Sequence, residues 1–362
     1  MTSSDGIRRR AAAALRRVLA LGGCVLCLAV APTPAHAEWY SRVEAIMDTR
    51  IYVELWDTNP QHANAAIDAV MAEMHHVDDV MSDFKPESEL SQVNEYAAQH
   101  PVVVSPELYD LVKLSTHYSQ ITGGAFDITV ESVWKLYHFR QRIHPTDAQI
   151  QALLPTVGWR QLVFDDPHHS IRFARPGMAI GLGGIAKGYV VDRSIDILKA
   201  RGIRHAIVTA GGDSRILGDR RGRPWMVAIR DPWDLSKVVT LIPIVNEAIS
   251  TSGDYYRGFV QNGVRYDHIL SPFTGHSAQL VRSASVIAPT ATQTDGMSKT
   301  AFVLGPQKTL AIINSMPQYD AVLIDPQGRV IYSKGMEPPP GAPPPAPAPE
   351  SPLAVGGGAS SQ

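Results

Sequence analysis

The chain has 362 residues, 44% of them hydrophobic and 19% charged, with a formal net charge of −2. That is enough apolar material for one large or two small domains with a real core, and the absence of a basic footprint argues against nucleic acid as a partner. Both cysteines, Cys24 and Cys27, fall in the first segment, so the rest of the chain has no disulfide, thiolate nucleophile or cysteine zinc site.

Arg8, Arg9, Arg10, Arg16 and Arg17 surround the approach to an apolar run from Val18 to Val30, and a small-residue end finishes at Ala37. This is the pattern of an export signal cut after Ala37. The run is short for a permanent membrane anchor. A second reading makes the segment a lipoprotein signal, with Leu21-Gly22-Gly23-Cys24 as a poor lipidation box. Cleavage removes five arginines and one aspartate and leaves a charge of −6. At the other end, residues 337–362 are rich in Pro, Ala and Gly. They have little to bury and are expected to be disordered or extended. The expected organisation is an export signal over 1–37, a folded domain over 38–336 and a tail over 337–362.

Within the domain, Ile51, Val53 and Leu55 alternate with Tyr52 and Glu54, which predicts a strand over 51–55. Ile67, Val70, Met71, Met74, Val77 and Met81 recur at three and four residues and predict a helix over 61–81. A second helix is expected over 106–122, stopped by Gly123-Gly124. An apolar strand over 178–182 leads through glycines to a helix over 185–200. Strands are expected at 206–209, 225–230, 238–245, 248–251 and 266–270, a helix at 295–303, and a final helix and strand at 308–315 and 321–324. Helices between and around antiparallel strands make the class α+β.

Three clusters could carry chemistry. Gly181-Leu182-Gly183-Gly184-Ile185-Ala186-Lys187-Gly188 sits at a strand-to-helix turn. There, backbone N–H groups, a helix start and Lys187 suit a phosphate, although the glycines also serve a simple tight turn. His268, before Ser271-Pro272-Phe273-Thr274-Gly275, is a candidate general base or a hydrogen-bonded structural histidine. Asp295, in Thr294-Asp295-Gly296-Met297-Ser298-Lys299, is either a helix cap or a ligand for a hard cation. His75, His76, Asp78 and Asp79 lie off the apolar side of their helix and read as a solvated face. The Gly-Gly pairs at 123–124 and 211–212 read as turns.

Taken in order, these segments resemble the FAD:protein FMN transferase family, also called the thiamine-biosynthesis-lipoprotein family. The resemblance runs through Met81-Ser82-Asp83-Phe84, Gly124-Ala125-Phe126-Asp127-Ile128-Thr129, the Gly-Gly-Ile-Ala-Lys-Gly turn and Ala210-Gly211-Gly212-Asp213. It continues through Trp225, Arg230-Asp231-Pro232, Thr251-Ser252-Gly253-Asp254-Tyr255, His268-Ile269-Leu270-Ser271-Pro272 and Thr294-Asp295 to Gly305. It implies an α+β, T-fold-like architecture built on antiparallel sheet. It also implies FAD as substrate, magnesium as cofactor, and work in the periplasm or cell envelope, which leaves room for peripheral association with the inner membrane. The implied reaction moves FMN from FAD to a Thr or Ser hydroxyl of an acceptor flavoprotein subunit and leaves AMP. An FAD pyrophosphatase and a non-catalytic exported flavin-binding protein are the alternatives on the same site. By motif, Met47, Phe84, Ala125, Phe126, Asp127, Gly183, Lys187, Ile269 and Ser298 would face FAD. Ala186 (through its carbonyl) and Asp295 would hold the metal, and His268 matches the catalytic histidine. Family acceptors end Gly-Ala-Thr or Gly-Ala-Ser; the tail contains Gly358-Ala359-Ser360 without the rest of that motif.

Three positions depart from the family pattern. Gly181 replaces the usual Asp before Leu-Gly-Gly, and Phe84 replaces a common Tyr. Lys299 stands where a metal-binding Thr usually follows the Asp by four residues, with Thr300 one step on. Either the Lys299 ammonium takes the cation's place against the diphosphate, or Lys299 points away and the metal remains.

Overall fold

The computed structural model describes residues 37–255 and 258–336; the expected signal before Ala37 and the tail lie outside the described residues. The first element is a hairpin of β1 (Glu38–Ile46) and β2 (Thr49–Asp57). In its two-residue turn, Met47 and Asp48 both have positive φ, 57° and 52°, the geometry that follows strand twist in tight hairpins. Then come α1 (Pro60–Met81), α2 (Glu89–Tyr96), β3 (Val102–Val103), α3 (Pro106–Ile121), α4 (Glu131–Trp134), α5 (Asp147–Leu153), β4 (Leu162–Asp165) and β5 (Ser170–Phe173). α6 (Ala186–Ala200) is followed by β6 (Ala206–Ala210), β7 (Asp213–Leu217), β8 (Trp225–Arg230), β9 (Val238–Ile244), β10 (Ala248–Gly253), β11 (Gly258–Gln261) and β12 (Val264–Asp267). β13 (Ser283–Ala288), α7 (Ala291–Ser298), α8 (Thr300–Ile313), β14 (Asp320–Ile324) and β15 (Val330–Tyr332) complete the order.

Eight strands form one sheet in the order β1-β2-β6-β7-β10-β13-β14-β15, and every adjacent pair is antiparallel. The fold is α+β. Strand side chains alternate between two apolar layers. Ile51, Val53 and Leu55 of β2 and Ala206, Val208 and Ala210 of β6 share a core with the buried faces of α1 and α6. Their neighbours Tyr52 and Ile207 meet Trp225, Ile229, Ile242 and Ile244 of the β8–β9 hairpin on the other side. With both faces covered, β6 and β13 are buried throughout.

α1 starts where predicted because Asn59 accepts the N–H groups of Gln61 and His62, with Pro60 in the first turn. It buries Ile67, Val70, Met71, Met74, Val77 and Met81. His76 on its outer side meets Glu107, and Asp78 and Asp79 meet Lys85. Among the described residues, no group of three or more His, Cys, Asp or Glu comes together to hold a metal, and no helix is long and apolar enough to cross a membrane.

Four expectations change. Residues 178–182 are not a strand, although Met178, Ala179, Ile180 and Leu182 are buried as the pattern required. Side chains replace the missing partner strand. Asn94 bonds both the N–H and the carbonyl of Ile180, Ser132 does the same for Ala179, and Gly181 N–H donates to Ile128 O. The strand expected over 266–270 stops at Asp267, so His268 lies just beyond β12. The helix expected from Asp295 begins at Ala291, where Thr290 and Gln293 form a capping box. α8 then absorbs the expected 308–315 helix across a break at Gly305 (φ 75°), which precedes Pro306.

Candidate functional site

Ile185 gives α6 no side-chain cap, and of the first N–H groups Ala186 donates to Leu182 O and Gly188 to Asp295 Oδ2, so what this helix start offers a ligand is its positive dipole end. Gly183, just before it, is exposed, and a side chain there would meet nothing within 4 Å. Gly188 is the opposite case. It is buried, and a Cβ would collide with the Ala291 backbone and with Asp295. The lack of a side chain lets α6 and α7 approach closely, which places Gly188 N–H 3.0 Å from Asp295 Oδ2.

Two ammonium groups and two buried carboxylates meet at this junction. Lys187 Nζ is 3.2 Å from Asp213 Oδ2 and 3.6 Å from Asp295 Oδ2, and it donates to Gly183 O at 3.1 Å. Asp213 and Asp295 are 3% and 0% exposed. Lys299 Nζ contacts Asp295 Oδ1 and donates to the Asp295 carbonyl at 3.1 Å. Burial pulls the Lys299 ammonium down, to about 7, with Lys187 adding to the effect and Asp213 opposing it. The touching Asp295 carboxylate also favours the charged form.

These contacts bear on the implied magnesium. Asp295 Oδ1 faces Lys299, and Oδ2 faces Gly188 N–H and Lys187. A divalent ion about 4 Å from an ammonium would be repelled by about 8 kcal/mol at an effective dielectric of about 20. The residues present at Asp295 therefore do not fit a divalent cation. Of the two placements open for Lys299, the one pointing away is not the one observed.

His268 follows β12, partly exposed, and its main chain is clamped. Trp134 Nε1 donates to His268 O at 3.0 Å, and Asp267 Oδ1 accepts the Ile269 N–H at 2.9 Å. The Trp134 ring meets Phe84 edge-on at 6.4 Å. Phe84 is 72% exposed, an open aromatic face suited to stacking. Asp267 is fully buried and its Oδ2 has no hydrogen-bond partner. Burial, reinforced by Asp254, raises its pKa to about 7. A carboxyl raised in the folded state stabilises the fold below its unfolded value, and that stability is lost as pH rises through about 7. Asp267→Asn keeps the acceptor for Ile269. It is expected to melt with the parent near pH 4 and several degrees above it near pH 8, on the order of 1–3 kcal/mol. Thermal melts across that range check this; identical pH dependence in the two proteins would refute it.

Some expected ligand-facing residues are already engaged by the protein. Asp127 accepts from Thr129 N–H, Thr129 Oγ1 and Trp159 N–H. Ser298 donates to Asp295 O and pairs with Ser252 Oγ at 2.8 Å, fully buried. Ala125, Phe126 and Ile269 are buried, with Phe126 packed 3.2 Å from where a Gly184 Cβ would be. Met47 sits at the hairpin turn, half-buried against the core. At Gly181, the space for a side chain holds the Glu131 carboxyl. Burial, then Asp83, raises the Glu131 pKa to about 8, so a neutral carboxyl from α4 stands where position 181 usually provides one.

The ApbE family profile matches residues 47–323. The chain belongs to the ApbE family. A Treponema pallidum (strain Nichols) protein named FAD:protein FMN transferase is 32% identical over 333 residues, covering 86% of this chain and 92% of that protein. A Klebsiella pneumoniae (strain 342) protein of the same name is 28% identical over 298 residues, 81% of this chain and 92% of that one. In structure, the ApbE protein of Thermotoga maritima aligns with a TM-score of 0.76 at 30% identity, over 82% of this chain and 98% of that chain. The flavin transferase ApbE of Vibrio cholerae gives 0.74 at 29%, with the same coverage. Within this ApbE fold, Lys187, Asp295 and Lys299 are brought together at one junction. Two further residues matter without having been singled out, Asp213 at this junction and Trp134 beside His268. Asp213 opens β7, just after the Gly211-Gly212 turn, and Ala-Gly-Gly-Asp is its available signal. Trp134 links Phe84 to the His268 main chain, and nothing local marks it.

Proposed function

We propose that this chain transfers the FMN half of FAD to a Thr or Ser hydroxyl of a partner protein and releases AMP. One observation carries the reading: the ammonium groups of Lys187 and Lys299 stand together beside the positive end of α6, an anion site in a chain of the ApbE family. The diphosphate of FAD would lie against Gly183 and the positive end of α6, with both ammonium groups on its oxygens. The flavin ring would rest on Phe84. Phe126, Asp127, Ile269 and Ser298 shape and brace the walls, mostly through packing and internal hydrogen bonds.

In the reaction, the acceptor hydroxyl oxygen forms a bond to the phosphorus on the FMN side. The bond from that phosphorus to the bridging oxygen breaks, and AMP leaves with that oxygen. His268 takes the hydroxyl proton. Lys187 and Lys299 offset the negative charge that grows on the departing phosphate. No step is assigned to magnesium, because Asp295 is occupied by Lys299. Residues 38–336 would form the transferase domain. The signal at 1–37 would take it to the periplasm or envelope, where the acceptor, a redox subunit bearing the target hydroxyl, is met.

Incubating the purified chain with FAD and an acceptor peptide ending Gly-Ala-Thr tests the reading. The expected result is an acceptor heavier by one FMN, with one AMP released. Free FMN and AMP with an unmodified acceptor would mean water is the nucleophile, and intact bound FAD would mean a binding protein.

A further inference from the structure

We infer that the Lys299 ammonium is the resident cation of this site, and that the chain holds the FAD diphosphate without a divalent metal. The inference rests on reading the site as an FAD site. It concerns which charge meets the diphosphate there.

Helix geometry sets the pairing. Asp295 and Lys299 are four residues apart and share one face of a helical stretch, and Lys299 itself has helical dihedrals, φ −75° and ψ −23°. Its side chain is mostly buried, 18% exposed, at the junction. An ammonium has three N–H donors. Two point to Asp295 Oδ1 and the Asp295 carbonyl, which leaves one for a phosphate oxygen. Thr300, the next hydroxyl, cannot stand in as a metal ligand beside Asp295. It lies about 100° further round the helix, off the face that Asp295 and Lys299 share.

Charge counting agrees. With Lys299 charged, as the touching Asp295 carboxylate favours, Lys187 and Lys299 balance Asp213 and Asp295. Both ammonium groups are held by internal carboxylates and carbonyls rather than by the incoming group. They are thus fixed in place before the diphosphate binds, which is the condition for electrostatic stabilisation without reorganisation. A metal at Asp295 would have to expel Lys299 from a site where helix spacing returns it.

FAD binding, followed by flavin fluorescence, and FMN transfer are measured on the purified chain after chelator treatment, with and without added magnesium. Manganese binding to the chain is followed separately by electron paramagnetic resonance. We expect FAD affinity and transfer to be unaffected by the chelator, with no tight manganese site. In Lys299→Thr, FAD affinity in chelator should fall about 10- to 100-fold. Magnesium should restore it and should raise the melting temperature of the variant but not of the parent. Parent protein that binds FAD and loses transfer in chelator, then regains it with magnesium, overturns the inference and leaves the functional reading standing. Parent protein that binds no FAD under either condition overturns both. The parent measurements decide the question even where Lys299→Thr fails to fold.

Discussion

His268→Ala is expected to slow FMN transfer by about 10²- to 10⁴-fold while FAD binding stays near the parent value. The imidazole is proposed to act only on the acceptor hydroxyl, so the FAD complex does not depend on it. Its position comes from the main chain, through Trp134 on the His268 carbonyl and Asp267 on the next N–H, and both contacts survive removal of the ring. The lost step is proton removal, so added imidazole should recover part of the rate, and the recovery should follow the free-base fraction. Single-turnover mass measurements of the acceptor, with FAD fluorescence titration alongside, check both halves. Transfer at the parent rate would remove His268 from the mechanism. Loss of FAD binding would make it a binding residue instead.

Asp295→Asn should be the most damaging single change to the junction. The carboxylate has no exposure and faces Lys299, Lys187 and Gly188 N–H at once. The amide keeps the shape and loses the charge. Two ammonium groups then remain, with Asp213 alone to balance them. Breaking a buried pair on one side costs about 3–5 kcal/mol, which corresponds to a fall in melting temperature of about 6–15 °C, and transfer should be lost as the ammonium groups shift. Adding Lys299→Met to Asp295→Asn removes the orphaned charge and should recover more than half of the lost stability, a non-additive result. Calorimetry of the two single variants and the double variant reads it. Simple additivity would show that the ion pair is not the link between these residues.

Several parts of this architecture are legible in the chain because the signal is local. The 3.6-residue recurrence in α1 and α6 reports one buried face each, and the caps at Asn59 and Ser105 mark helix starts within one or two residues. β1 is less visible. As an edge strand it covers little apolar surface, and until the buried Ile46 its residues are only partly buried or exposed. β13 is buried throughout, yet its small residues, Ser-Ala-Ser-Val-Ile-Ala, give no alternation to read. The stretch at 178–182 shows the limit from the other side. Apolar pattern reports burial, but strand or loop depends on whether a partner backbone or side chains such as Asn94 satisfy the peptide groups.

Motif order singles out Lys187, His268 and Asp295 as candidates, since glycine turns, caps and i,i+4 spacing are properties of neighbouring residues. The cap itself belongs to Thr290, whose Thr-x-x-Gln spacing is a clearer start signal than an Asp inside the helix. By itself, then, the amino-acid order determines the family, the α+β class and the charged residues available for chemistry, because each depends on short-range periodicity and spacing. Only the folded sheet decides that Asp213 balances Lys187, that Trp134 steadies His268, that Glu131 fills the gap at Gly181, and that Lys299 turns toward Asp295. Those contacts join segments far apart in the chain, or depend on which helix face is buried, and burial is a property of the whole packing.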